Sequence, residues 1–365
     1  MRIGILTFHR ANNYGALLQC YALCRALCNL GHNAEVIDYR QPVIEKSYSK
    51  VGLKDFNPLR PVRFLKSLFL PQTLTRNIRH SRFVSFRNKY INCSEKIFTP
   101  NNKIIEDYDV IFIGSDQLWN SKWTNGLDDY YWGNFRHSVN TVIASYAVSM
   151  GKTEIDEEEK IKKLLENFDF LSVRENSLKS LLNNLTNKDV KVTIDPTFLL
   201  DKEEWMKFVK PNNKKYVLIY PLLHTEETIS IGKQIAKEHN MDYEIIDYQS
   251  HWKPIKNHKQ FEDPAAFLNL IANAEYVVTS SFHGTAFSVI FEKQFYSVVA
   301  RGAINTRISS LLNTLGLENR IISIEDFPLT MESIVYNELN EEKSQLVNQS
   351  MNFIYEVINS ASLIK

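Results

Sequence analysis

Short apolar runs alternate with amphipathic stretches along most of the chain. Residues 2–8 (RIGILTF) predict a buried strand, residues 15–30 carry apolar positions at helical spacing ahead of Gly31, and residues 34–38 return to a strand pattern. That is a βαβ opening. Further strands are predicted at 109–113, 141–146, 169–173 and 190–194, with amphipathic helices at about 155–167 and 175–185 between the last three. Asp195-Pro196-Thr197 interrupts the pattern, and a new segment starts near residue 202. Alternation then resumes. Strands at 215–220, 243–247, 275–279 and 295–299 are interleaved with helices at 226–238, 264–273, 284–292 and 306–314, before a charged helix near 338–360.

Strand–helix alternation in both halves predicts an α/β protein of two doubly wound, Rossmann-like domains facing a cleft, the layout of glycosyltransferase-B-like proteins. A chain of 365 residues exceeds what one compact core holds, and the division is expected at residues 1–200 and 201–365. The formal net charge is only +1, which gives no global sign of a nucleic-acid partner. One segment departs from this balance. Between Asp55 and Glu95 there is no acidic residue, while Arg60, Arg63, Lys66, Arg76, Arg79, Arg82, Arg87 and Lys89 lie among Phe64, Leu65, Leu68, Phe69, Leu70, Phe83 and Phe86. This predicts a basic helical insertion at about 56–94. It suits peripheral contact with an anionic membrane or the diphosphate of a lipid-linked sugar; the plainer alternative is a helical pair packed on the domain with its charges solvated. Cys20, Cys24 and Cys28 are spaced by four and read as thiols on one core-facing helix side, and no Cys-x-x-Cys or His-rich tract points to a metal. Residues 2–8 are too short for a signal-peptide core or a membrane span, so a reducing, cytoplasmic location is expected.

In doubly wound sheets, ligands bind beyond the carboxyl ends of the strands. Four loops there carry candidate chemistry. After the first strand, His9-Arg10-Ala11-Asn12-Asn13-Tyr14-Gly15 runs straight into a helix. Such a start can present N–H groups to an anion, or it can be an ordinary cap. After 109–113 comes Gly114-Ser115-Asp116-Gln117-Leu118-Trp119-Asn120, a set of polar groups beside a tryptophan that suits a sugar; Asp116 could instead be a helix cap. After 169–173, Arg174 is placed to grip a carboxylate or phosphate, with a surface ion pair to Glu175 as the alternative. Thr279-Ser280-Ser281-Phe282-His283-Gly284 joins a strand to a helix start, where hydroxyls, a histidine and a glycine meet free N–H groups. Downstream, Asn305-Thr306-Arg307 offers a second cationic fork.

Taken together these segments resemble the polysaccharide pyruvyl transferase family. The resemblance is carried by Gly4-Ile5-Leu6-Thr7-Phe8 with Asn13-Tyr14-Gly15-Ala16, Val36-Ile37-Asp38-Tyr39-Arg40, Gly114 to Asn120, Ser145-Tyr146-Ala147, Ser172-Val173-Arg174-Glu175, Asp195-Pro196-Thr197, Ser281-Phe282-His283-Gly284 and Asn305-Thr306-Arg307-Ile308. It implies a glycosyltransferase-B-like fold, a phosphoenolpyruvate donor used without metal or further cofactor, and a saccharide or lipid-linked oligosaccharide acceptor. The family's cleft arginine and helix-start histidine, linked to donor binding and catalysis, match Arg174 and His283, and a further basic residue matches Arg307.

On this basis His283 is expected to act as general acid or phosphate partner, and Arg174 and Arg307 to hold the donor's anions. Ser280, Ser281 and Gly284 would shape a phosphate cradle in the C-terminal domain. Asp116 would orient or deprotonate the acceptor hydroxyl, with Asn13, Gln117 and Trp119 lining the acceptor side in the N-terminal domain. A nucleotide-sugar glycosyltransferase of the same fold is the alternative, which Asp247 after 243–247 leaves open as a ribose ligand; a non-catalytic sugar-binding protein is the third possibility.

Overall fold

The structure is a computed structural model, which describes residues 1–50, 70–102, 104–105, 107–151, 154, 156–247, 255–299, 306–323, 325 and 332–364. Two wholly parallel sheets organise the chain. The first contains β1 (Arg2–Leu6), β2 (Asn33–Tyr39), β3 (Cys93–Phe98), β4 (Val110–Asp116), β5 (Val142–Val148), β6 (Leu171–Val173) and β7 (Val190–Val192), in the order β3-β2-β1-β4-β5-β6-β7. The second contains β8 (Tyr216–Tyr220), β9 (Asp242–Ile246), β10 (His258–Lys259), β11 (Tyr276–Thr279), β12 (Gln294–Val298) and β13 (Ile321–Ile322), in the order β10-β9-β8-β11-β12-β13. Strand order reverses between β1 and β4 in the first sheet and between β8 and β11 in the second. The loops leaving those four strands define the cleft of a doubly wound fold.

The central strands β4 and β5 are buried along almost their whole length, as expected where helices cover both faces of a parallel sheet. Helix α1 (Tyr14–Asn29) starts where the Asn13 side-chain oxygen accepts the Ala16 N–H at 3.1 Å. It stops before Gly31, whose φ of +85° is the left-handed position that favours glycine. Cys20 and Cys24 are buried on it, and all four cysteines are free thiols. The loop before α1 does not collect an anion with its first two residues. His9 Nε2 lies 3.0 Å from Asp38 Oδ1, and Arg10 forks onto the same carboxylate.

Contacts across the two halves are built from both basic and aromatic residues. Tyr14 stacks on Phe267 (centroids 4.6 Å apart), and its hydroxyl donates to the Glu262 carbonyl. Helix α2 (Pro71–Tyr90) buries Phe83 and Phe86, and its Arg79 and Arg82 donate to the carbonyls of Asp247, Gln260 and Phe261 in the second half. Arg76 donates to the carbonyls of Lys46 and Ser47. In its described part the basic insertion therefore packs on the protein, and these arginines are spent on main-chain oxygens. Arg60, Arg63 and Lys66 lie outside the described residues. The last helix, α3 (Asn340–Ile364), returns to the first sheet: Ser350 Oγ accepts the Ile194 N–H at 2.8 Å, and Phe353 packs on Tyr146. Among the described residues no helix is long and apolar enough to cross a membrane.

Candidate active site

The loops after β1, β4, β8 and β11 converge on one cavity of about 350 Å³. Asn13, Asp116, Gln117, Ser280, Ser281, His283 and Arg307 all line it, so residues from both halves and as far apart as 13 and 307 share one space. Each is placed by its element. Asn13 caps α1 and faces the cavity from that cap. Asp116 ends β4 with φ +76°, uncommon for a residue other than glycine, and caps no helix; the cap of the short helix Ser121–Thr124 is Asn120, whose Oδ1 accepts the Lys122 N–H.

The strand-to-helix turn after β11 is tightly built. Ser281 caps helix α4 (Phe282–Ile290), its Oγ accepting the Gly284 N–H at 3.3 Å. Ser280 Oγ takes the Leu223 N–H at 2.8 Å and donates to the Leu223 carbonyl. Both hydroxyls thus hold the turn and the β8 loop, and both residues still line the cavity. Gly284 lies against the strand end: a Cβ there would fall 2.4 Å from Thr279 Oγ1, so the glycine allows helix–strand packing. Apart from the Gly284 N–H, which Ser281 takes, the first-turn N–H groups have no intrahelical carbonyl and can serve an anion.

His283 is nearly buried at the start of that helix. One edge of its ring rests on Gly15, where a Cβ would lie only 1.9 Å from Nδ1. On the other edge, Nε2 is 3.5 Å from Asp195 Oδ2. The same oxygen is 2.8 Å from Arg174 Nη2. The Arg174 contact is an ion pair, and the His283 contact is one only when the ring is protonated. Asp195 Oδ1 accepts from the Thr197 N–H and hydroxyl. Burial alone would raise the Asp195 carboxyl, but the Arg174 charge and His283 override it and hold it well below the usual carboxylate range.

Arg174 departs from expectation. It does not open onto the large cavity. Only 6% exposed, it lies one layer beneath, donating to Ser115 Oγ and facing a smaller cavity of about 40 Å³ shared with Asp195, Phe282 and Arg307. The alternative of a surface ion pair with Glu175 also falls, since Glu175 is 1% exposed. Burial pushes the Glu175 carboxyl up, against the pull of Arg174. Both cationic forks lie over the Phe282 ring, with Arg174 Cζ 4.7 Å and Arg307 Cζ 5.9 Å from its centroid. Arg174 Nε, Arg174 Nη1 and His283 Nε2 are buried without a hydrogen-bond partner, as are Glu175 Oε1 and Asp195 Oδ2. Orphaned buried polar groups of this kind gather where a ligand or water completes the set.

Trp119 is a correction. It is buried away from the cavity, stacked on Trp132 with centroids 4.3 Å apart, and its indole N–H donates to the Tyr131 carbonyl. Trp123, four residues on, lines the cavity instead. Asp247, the possible ribose ligand, is ion-paired with His258 at 2.8 Å. Among the described residues no group of three or more His, Cys, Asp or Glu is gathered to hold a metal ion.

Residues 13–301, which contain every cavity group named above except Arg307, match the sequence profile of the polysaccharide pyruvyl transferases. The chain belongs to the polysaccharide pyruvyl transferase family. Membership makes it a transferase, and the profile's own description is pyruvyl transfer to polysaccharide. No curated protein matches the chain in sequence. Among solved structures it is similar to the UDP-GlcNAc 2-epimerase of Neisseria meningitidis bound to UDP-GlcNAc, at 12% identity and TM-score 0.46, covering 100% of this chain and 98% of that one. It is similar also to the glycosyltransferase SnogD of Streptomyces nogalater, at 10% identity and TM-score 0.44, covering 100% of both chains. The Asp195-Pro196-Thr197 step belongs to the motifs quoted above for the family, yet its carboxylate was not assigned to the site; its position after β7, next to β6 and Arg174, was the missing information.

Proposed function

We propose that the cavity binds phosphoenolpyruvate and moves its pyruvyl group onto two hydroxyls of a saccharide or lipid-linked oligosaccharide, forming a ketal. The observation that carries this is the convergence of His283, Arg307, the α4 start and the partnerless nitrogens of Arg174 around Phe282, opposite Asp116 and Asn13. A small donor with one carboxylate and one phosphate needs two cationic anchors. Here Arg307 with the helix start meets one anion, and His283 meets the other, with Arg174 beneath it neutralising the Asp195 carboxylate beside the ring. In the chemistry, the methylene carbon of the enol gains a proton and becomes a methyl group. One acceptor hydroxyl oxygen bonds to the central carbon, and the carbon–oxygen bond to phosphate breaks. The second hydroxyl closes the ketal. Of the two hydroxyl protons, one restores the acid and one leaves with phosphate. His283 supplies the first proton or holds the departing phosphate, a contribution of ~10²–10⁴-fold if it is the acid. Asp116 takes a hydroxyl proton. No metal and no cofactor beyond the co-substrate enters the scheme.

Thermal shift tests the donor: phosphoenolpyruvate is expected to raise the melting temperature, and UDP is not. The reverse result would replace this function with nucleotide-sugar transfer. Mass spectrometry with a lipid-linked sugar should show the gain of one pyruvyl ketal with wild type and none with His283→Ala. We also place the enzyme in the cytoplasm, touching the inner membrane face through Arg60, Arg63 and Lys66. Salt-sensitive flotation with anionic liposomes is the corresponding measurement, and indifference to them at low salt would remove that contact.

A further inference from the structure

The cavity has an apolar rim made by both halves of the chain. Trp123 is 51% exposed, whereas Trp119, Trp132 and Trp205 are each 1% exposed or less. Its ring is nonetheless fixed. The indole N–H donates to Gln117 Oε1 at 2.7 Å. Gln117 is held in turn, because its Nε2 lies where Gly151 leaves room: a Cβ on Gly151 would sit 1.9 Å away. Across the cavity, Leu222 and Leu223 are 38% and 51% exposed on the β8 loop that Ser280 ties down. A half-exposed indole immobilised before any ligand arrives is pre-organised for a flat apolar face. Gln117's carbonyl is already used, so this residue positions Trp123 and does not itself bind through that atom.

We propose that Trp123 is the stacking platform of the acceptor subsite, taking the C–H face of a pyranose ring while the ring's hydroxyls turn toward Asp116 and Asn13; this rests on the saccharide half of the function above. A pyranose matches because one of its faces is C–H and its edge is polar, the same division that the cavity shows between its Trp123 rim and its Asp116 wall. A nucleotide base would also stack on an indole, so UDP is titrated beside the glycosides.

The test uses full-length wild type, Trp123→Ala and Trp123→Phe, titrated by calorimetry with methyl β-D-glucopyranoside, methyl β-D-galactopyranoside and methyl α-D-mannopyranoside. Phosphoenolpyruvate and UDP are titrated separately. At least one glycoside should bind wild type, with a saturable change in tryptophan fluorescence that vanishes in Trp123→Phe. Its affinity should fall about 10- to 30-fold in Trp123→Ala, the loss typical of a buried aromatic anchor, and partly recover in Trp123→Phe. Phosphoenolpyruvate affinity should be the same in all three. Equal glycoside affinity in wild type and Trp123→Ala overturns the proposal, and so does no glycoside binding at all. A fluorescence change with UDP alone would assign the platform to a nucleotide and likewise overturn it. Failure of phosphoenolpyruvate to bind while glycosides still do would sink the donor assignment and leave the platform standing.

Discussion

Gly15→Ala places a single methyl group against the histidine on which the proposed chemistry turns. The added Cβ would lie 1.9 Å from His283 Nδ1, 2.2 Å from Cγ and 2.4 Å from Cε1. Ordinary contact begins at about 3.4 Å, so the imidazole must retreat by roughly 1.5 Å or swing to another rotamer. Either movement changes its 3.5 Å approach to Asp195. A displacement of ~1 Å in a reacting group is worth on the order of 10²-fold in rate, and outright loss of a general acid up to ~10⁴-fold. Overpacking a nearly buried ring costs about 1–3 kcal/mol, offset in part by the helix preference of alanine over glycine, about 0.5–1 kcal/mol, so a modest net destabilisation is expected with the fold retained. The assay is release of inorganic phosphate from phosphoenolpyruvate in the presence of acceptor, run beside a melting curve. Turnover should fall at least a hundredfold with the melting transition preserved. A Gly15→Ala enzyme with wild-type turnover would refute the packing of His283 on α1 as a requirement of catalysis.

Arg174→Met should cost about 3–5 kcal/mol in chemical denaturation, because it takes the permanent positive charge away from the fully buried Asp195 carboxylate. Adding Asp195→Asn to that variant should recover part of the loss, and a single variant within 1 kcal/mol of wild type would dissolve the pair as a structural element. Glu175 titrates with the opposite sign to Asp195. Burial raises its carboxyl, so its ionisation weakens the fold above the ordinary glutamate value of ~4.3 and costs nothing below it. Glu175→Gln should therefore raise the melting temperature at pH 7 by an amount that fades as pH falls toward 4. An equal gain at both pH values would show that charge is not the cause.

The central strands were legible because they are buried on both faces and so read as continuous apolar runs. β3 was not, because it is a sheet edge with Glu95, Lys96 and Ile97 exposed, and a half-solvated edge carries no apolar run. The two-residue strands β10 and β13 give too short a pattern to register. At the site, the loops that matter could be found from strand ends alone, whereas the partner of Arg174 could not. Arg174 and Asp195 are brought together by β6 pairing with β7, and nothing local to either residue announces that neighbour. Trp119 and Trp123 illustrate the same limit. Trp119 stands in the polar loop and Trp123 in the short helix that follows it, and the stacking of Trp119 on Trp132, thirteen residues on, marks the one that turns inward.

The return of α3 to the first sheet means that the chain passes between the two halves twice, forward between Val192 and Tyr216 and back between Ile322 and Asn340. Two crossings leave one half fewer ways to move against the other than a single linker would. Tyr14, Arg79 and Arg82, which reach across from the first half, add to that restraint. In the proposed function, the alignment of a donor near His283 and Arg307 with an acceptor near Asn13 and Asp116 would then rest on the connectivity of the backbone as well as on side-chain contacts.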